Sequence, residues 1–443
     1  MPPTRQLAAE LGLSRGVVTE AYRRLAEDGH VAGRGRAGTT VVAVPVAAPE
    51  PVPAGWARPV KHPFLPPNPG PDIFARLRTV AARIDLSPGL PDLAAFPRAA
   101  WLRTERQVLA RLAASDFGYG DPSGAPQLRG AVATWLARTR GVRVVPEQVI
   151  IVAGAAQAVG LLAQVLHDRG VRRIAVEDPG SLGMRQHLHA ARLETPPVTV
   201  DAAGISVSEL RSTEAPVALV TPAHQFPLGV VLDGERRREL LGWAADGGLL
   251  IEDDYDAEHR YDRPPVAALH SLQPDRVCYV GSVSKSLAPA LRLGWLIVPR
   301  QLHDDVASAK QYADLGNPVL TQLVLAELIA SGELERHLRY VRGRHRRRRN
   351  AMIAAIAAHL PEAQVYGAAA GLHLTVTLPS DVADADLAQT ALTRGVKLHP
   401  LSWYSQRTGR PGLVIGYGAR TTAEIAEGVA MVGDLLRRPS RPR

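Results

Sequence analysis

Over the first 43 residues the apolar positions fall twice at helical spacing and then at strand spacing. In TRQLAAEL (4–11), Leu7, Ala8 and Leu11 share one face, and the pattern stops at Gly12. Ser14 then stands as the N-cap of a second helix running to about Asp28, with Val17, Val18, Ala21, Tyr22 and Leu25 on its apolar face and Gly29 after it. VAGRGRAGTTVVAV, from Val31, reads as two strands carrying Arg34 and Arg36. Helix, glycine turn, helix and two-stranded wing is the pattern of a unit that lays its second helix in the major groove of DNA. Two short helices about a glycine give the same pattern with no such role, so the exposed positions matter. Ser14, Arg15, Thr19 and Arg23 can donate to base edges or phosphates, and Arg34 and Arg36 can meet the backbone or minor groove. Six arginines against four acids make residues 1–43 only about +2, a modest electrostatic footprint.

Periodicity then lapses. Residues 45–71 hold ten prolines and read as a stiff, extended linker. From about Asp72, strand-like runs alternate with helical ones: VIIVAG, RRIAVEDP, PVALVTP, GLLIEDD, RVCYVGS and LGWLIVP. This predicts an α/β domain with a mostly parallel sheet and a ligand at the carboxyl ends of its strands. From about Asn317 a long helix carries the arginine run Arg342–Arg349, and HLTVTLP, VKLHPL and GLVIGYG follow as a smaller α+β lobe. The expected organisation is a DNA-binding unit at 1–44, a linker at 45–71, and an α/β domain at 72–443, its large domain about 115–315 and its small lobe about 317–443. On a helix, an arginine run is more often a solvated face or interface than a nucleic-acid patch.

Composition sharpens this picture at three points. The 443 residues hold no run of about 18 uncharged apolar residues, no secretory leader and a single cysteine, Cys278, so the protein is read as cytoplasmic, with no membrane and no internal disulfide. The net charge is +9. Lysine is almost absent: Lys61, Lys285, Lys310 and Lys397 stand against 48 arginines, so chemistry that needs an amine has four candidates.

Lys285 is the candidate with the right neighbours. GSVSKSLAPALRLGW (281–295) delivers Ser282, Ser284 and Lys285 at the end of the strand RVCYV, with Arg292 seven residues on. An amine for a Schiff base, with hydroxyls and a guanidinium for a phosphate, suits an aldehyde cofactor that carries a phosphate. In VIIVAGAAQAV the small residues Gly154, Ala155 and Ala156 let backbone N–H groups approach an anion at a helix start, although a plain strand-to-helix turn has the same sequence. LLIEDDYDAEHRY places Glu252, Asp253 and Asp254 at the end of a buried strand, where a carboxylate needs a partner. A pyridinium nitrogen suits Asp253, and Tyr255 is placed for the ring hydroxyl. A metal is the competing partner for these acids, and no His/Cys spacing supports one.

Taken together, TRQLAAELGLSRGVVTEAYRRLAEDG resembles the winged helix-turn-helix of GntR-type repressors, and the remainder resembles a fold-type I aminotransferase; joined, they resemble the MocR/GabR-type transcriptional regulators. YGDPSGAPQLR (119–129), AGAAQ, VEDPG, TPAHQFPLG (221–229), IEDDYDAEHRY, SVSKSLAPALRLG and AGLHL (370–374) follow in the family's order. The resemblance implies pyridoxal 5'-phosphate on Lys285, with Asp253 and Tyr255 at the ring and Gly154, Ala155, Ala156, Ser282, Ser284 and Arg292 at the phosphate. It also implies a head-to-tail homodimer in which Tyr119 reaches the partner's phosphate, double-stranded operator DNA as a partner, and a small amine or the cofactor itself as effector.

Three departures qualify it. Ser181 stands where the family stacks an aromatic residue on the cofactor ring. Val414 stands where aminotransferases place the arginine that clamps a substrate carboxylate, a charged hydrogen-bond pair worth roughly 1.5–3 kcal/mol; Arg410 and Arg420 are the candidate substitutes. The chain begins almost on the family's second helix, so the gene is expected to continue upstream of Met1. The leading expectation is a pyridoxal-phosphate-responsive DNA-binding regulator without efficient turnover. The alternatives are an active aminotransferase with a vestigial DNA-binding arm, and a dimerisation scaffold.

Overall fold

A computed structural model describes residues 1–35, 38–42, 69–261 and 266–437, in two units that divide between His62 and Pro63. In the first unit, Gly12 takes the left-handed conformation (φ 63) that ends the helix Thr4–Leu11, and Ser14 Oγ accepts from the Val17 N–H at 3.4 Å to start Arg15–Glu27. Val31–Gly33 and Thr39–Val41 pair antiparallel as the wing, with Val31 opposite Val41. The apolar faces read from periodicity are only partly covered. Ala8, Val18 and Val31 are buried, whereas Leu11 and Val17 are 58% and 54% exposed. Two short helices and a three-residue ribbon have too little surface to cover both faces.

The second unit is organised by an eight-stranded sheet in the order Val149–Val152, Gly294–Ile297, Val277–Ser282, Leu249–Asp253, Val217–Val220, Ile174–Asp178, Pro197–Asp201, Gly204–Ile205. Six strands run in one direction, and Gly294–Ile297 and Gly204–Ile205 oppose them. The expected runs all appear, and Pro197–Asp201 is added to them. VIIV, VALV and VCYVGS are buried at every position because helices cover both faces. Ala155–Asp168 and Arg300–Asp314 pack on one face, and Pro126–Arg140 and Val319–Ala330 on the other. The carboxyl ends of five strands (149–152, 174–178, 217–220, 249–253 and 277–282) therefore open on one crevice.

The smaller lobe is an antiparallel sheet of Gln364–Tyr366, His373–Thr377, Gly412–Gly416 and His399–Pro400, backed by Asp384–Thr393 and Thr422–Arg437. Its limits differ from the expected 317–443 in two ways. Leu325, Ala326 and Ile329 of Val319–Ala330 lie in the large sheet's core, so the lobes part inside Glu333–His359. At 27 residues, roughly 40 Å, that helix is long enough to serve both cores. Upstream, Ile73, Leu77, Ile84 and Leu86 belong to the small lobe's core, and Ile84–Asp85 pairs in parallel with Val396–Lys397. The arginine run is a solvated face only in part. Arg344 and Arg348 reach the buried Asp92 at 2.6 and 2.8 Å, and Arg342 donates to the Glu258 carbonyl at 2.9 Å.

Candidate functional site

Strand alternation separates the three consecutive acids. Glu252 and Asp254 point to one side of the sheet: Glu252 accepts from the N–H groups of Leu269 and His270 at 2.9 and 3.0 Å, and Asp254 is bound by Arg140 at 2.6 and 2.9 Å. Asp253 points the other way. It is 5% exposed, and its Oδ1 has no hydrogen-bond partner among the described residues. Burial, then the nearby charges of Asp254 and Asp256, push its pKa up to about 7, and Lys285 pulls the other way. A buried acid without a partner is costly, so a cationic N–H donor is what this position lacks.

Lys285 is held in the same crevice. Its Nζ donates to the carbonyl of Gly89 at 2.7 Å, and a β-carbon at Gly89 would come within 2.7 Å of that nitrogen. Burial lowers the amine's pKa against the opposing charges of Asp256 and Asp253, which favours the neutral, nucleophilic form. Its loop is fixed by two imidazoles, His259 Nε2 donating to the Lys285 carbonyl and His337 Nε2 to that of Ser286, each at 3.0 Å.

An anion cradle lies beside it. Gly154 (φ 88) caps Ala155–Asp168, whose first N–H groups, at Ala155 and Ala156, have no intrahelical acceptor. A β-carbon at Gly154 would stand 3.7 Å from both Arg292 Nη1 and Ser284 Oγ, so these groups converge on the helix start, and Ser282 Oγ accepts from the Ser284 N–H at 3.4 Å. The residues therefore fit a phosphate, an aldehyde carbon and a protonated ring nitrogen together.

The structure brings Gly154, Ala155, Ala156, Ser282, Ser284, Lys285, Arg292, Asp253 and Tyr255 to this crevice and leaves Tyr119 apart. Tyr119 is 94% exposed and lines a 600 Å³ cavity with Asp121, Asp314 and Asn317. Sequence reasoning missed Gly89, His224 and Asp256. His224 Nδ1 lies 2.9 Å from Asp256 Oδ2 and 3.0 Å from the Tyr255 hydroxyl, so a buried carboxylate–imidazole pair holds the phenol. The only sequence signal was the placing of His224 and Asp256 within TPAHQFPLG and IEDDYDAEHRY. Two of the other lysines are structural: Lys397 pairs with Asp85 at 2.7 Å, and Lys310 with Asp314 at 2.6 Å. Lys61 lies outside the described residues.

The departures have local explanations. Ser181 caps Leu182–Ala190, its Oγ accepting from the Met184 N–H. Val414 is fully buried in the small lobe's apolar core, and Arg420 is engaged by Glu424 and the Asp85 carbonyl. In the N-terminal unit, Arg15 and Arg34 are exposed. Thr19 Oγ1 donates to the Arg15 carbonyl, and Arg23 is paired within its own helix to Glu20 at 2.6 Å and to Glu27. Arg36 lies outside the described residues.

A parallel α/β sheet with a buried lysine, an opposed acid and a helix-start cradle defines an aminotransferase-type domain, here following a winged helix-turn-helix. Residues 83–430 match the family of class I and II aminotransferases, and residues 1–41 match the bacterial regulatory proteins of the gntR family. The chain is 33% identical to the probable rhizopine catabolism regulatory protein MocR of Rhizobium meliloti, over 97% of its own length and 87% of that protein's. It is 32% identical to the pyridoxine biosynthesis transcriptional regulator PdxR of Corynebacterium glutamicum, over 97% and 91%. Among solved structures it is similar to Pyrococcus horikoshii kynurenine aminotransferase, with a TM-score of 0.76 and 25% identity over 84% of this chain and 94% of that one. The protein belongs to the MocR-type helix-turn-helix transcriptional regulators, which join a GntR-type DNA-binding domain to a class I and II aminotransferase domain.

Proposed function

We propose that this regulator binds pyridoxal 5'-phosphate, alone or joined to a small amine, in the crevice around Lys285, and changes its hold on operator DNA in response. The observation that carries the reading is the buried, partnerless Oδ1 of Asp253 in the same crevice as the amine of Lys285. When bound, the cofactor supplies an aldehyde carbon open to amine attack and an electron-withdrawing ring. Lys285 offers the amine and is held for it by Gly89. Asp253 keeps a proton on the ring nitrogen, and Tyr255, braced by His224 and Asp256, donates to the ring oxygen. Gly154, Ala155, Ala156, Ser282, Ser284 and Arg292 bind the phosphate through N–H, hydroxyl and guanidinium donors.

The working form in this reading is a head-to-tail homodimer in the cytoplasm, with Tyr119 of the partner subunit completing the phosphate site and two DNA-binding units on paired half-sites. Val414 supports sensing over turnover, because a buried apolar side chain gives a substrate carboxylate no charged clamp there. The test is binding to the protein's own upstream region at fixed salt, with and without the cofactor. A specific complex whose affinity or footprint changes with cofactor supports the reading. A cofactor-loaded dimer with no specific complex, together with steady transamination of an amino acid and a keto acid, overturns it in favour of an enzyme.

A further inference from the structure

We propose that Lys310 is a positioning residue for the phosphate cradle, and that it makes the site choose the phosphorylated cofactor over its unphosphorylated form. This rests on the reading that Gly154, Ser284 and Arg292 receive the phosphate. In a chain with 48 arginines and four lysines, a lysine marks a position where a guanidinium does not serve. The Lys310 side chain is fully buried, on the helix Arg300–Asp314. Its three N–H donors face Asp314, whose two carboxylate oxygens lie at 2.6 Å and share one of them, Asn317 Oδ1 at 2.8 Å and Gln157 Oε1 at 3.1 Å. Acceptors grouped around one point suit a compact ammonium; a planar fork at the end of a longer stem does not fit them.

Two of the acceptors, Asn317 and Gln157, are tied in turn to the cradle. Asn317 Nδ2 donates to the Arg292 carbonyl at 2.9 Å. Gln157 Oε1 also accepts from the N–H of Ala153, the residue before Gly154, at 2.7 Å, and Gln157 Nε2 donates to Asp314 at 2.8 Å. Arg292 sits at φ 51, a left-handed conformation that a residue with a side chain keeps only when its surroundings hold it. One ammonium thus links the helix start, the backbone of Arg292 and the turn at 314–317. Paired with Asp314, it brings no net charge to the phosphate, so its effect is on geometry. Losing it would let the helix start and the guanidinium drift apart while Lys285, Asp253 and Tyr255 keep their own supports.

The experiment uses the full-length protein and measures affinity for pyridoxal 5'-phosphate and for pyridoxal in parallel. The variants are Lys310→Met; Asn317→Ala, which leaves the Lys310–Asp314 pair intact; and Arg292→Ala as a control. The expected result is a loss of tenfold or more for the phosphorylated form and less than twofold for pyridoxal in both Lys310→Met and Asn317→Ala. If Lys310→Met does not fold, Asn317→Ala carries the test. Folded variants that keep the parent's preference, or that lose both ligands equally, overturn the role of Lys310. A parent that binds the two ligands alike, or an Arg292→Ala variant that keeps the preference, overturns the cradle reading itself.

Discussion

Arg140 binds both oxygens of Asp254, at 2.6 and 2.9 Å, in a pair whose side chains are each 2% exposed. The pair anchors the end of the acid strand against Pro126–Arg140, so that Asp253, one residue earlier, faces the crevice. Asp254 is the structural acid, and Asp253 is the one that the proposed reading places against the cofactor ring. Replacing Arg140 by alanine would strand a buried charge and is expected to cost about 3–5 kcal/mol of stability. Urea unfolding of the variant checks this. A cost under about 1 kcal/mol would show that the anchor is dispensable.

Asp253 carries a pH signature. Its folded pKa, raised to about 7, lies above the usual carboxylate value near 4, so between those pH values the folded state holds a proton that the unfolded state has lost. Stability without cofactor therefore falls as pH rises through that window, by a term on the order of 4 kcal/mol from this residue. Asp253→Asn is expected to be more stable than the parent at pH 8 and equal to it near pH 4. Glu177, raised to about 7 by burial, adds the same trend in both proteins and leaves the difference intact. Melting temperatures of the two across pH 4–8 would show it.

Lys285→Ala should abolish covalent capture of the cofactor with no loss of stability, because the amine is buried against the cost of its charge. Borohydride reduction followed by peptide mass mapping reads the adduct directly. Label found on Lys310 or Lys397 would sink the assignment.

His224→Asn retains a donor but changes the brace on Tyr255. The loaded variant is expected to show a shifted pH midpoint in its absorbance titration, with cofactor still captured, whereas Tyr255→Phe should weaken capture about tenfold, or 1.4 kcal/mol. A titration that overlays the parent's would remove the imidazole from the site's chemistry.

In the DNA-binding unit, Arg15 and Arg23 should behave differently. Arg23 is already paired with Glu20 and Glu27, and Arg15 is exposed. Arg15→Ala is expected to reduce the salt slope of DNA binding by about 1, and Arg23→Ala by less. Equal slopes for the two variants would show that Arg23 leaves its carboxylates on binding.

The sequence alone determined whatever depends on neighbours along the chain. Gly12 and Ser14 set the two short helices of the DNA-binding unit, the apolar runs set the buried strands, and Ser282, Ser284, Lys285 and Arg292 are readable as a group because they lie close together in sequence at and just after one strand end. Spacing of 3.6 or 2 positions is local physics, and so is a cap. Tertiary structure decided the rest. Glu252, Asp253 and Asp254 are equivalent in sequence, and it is Arg140, 114 residues from Asp254, together with the Tyr279 hydroxyl, that distinguishes Asp254 from its neighbour. Gly89 meets Lys285 across 196 positions, and Lys310, a polar residue in a polar helix by sequence, is buried because Gln157, 153 positions away, and the turn at Asp314–Asn317 close around it. A buried charge is tolerated only where partners from other elements arrive together, and periodicity along one element carries no record of which elements those are.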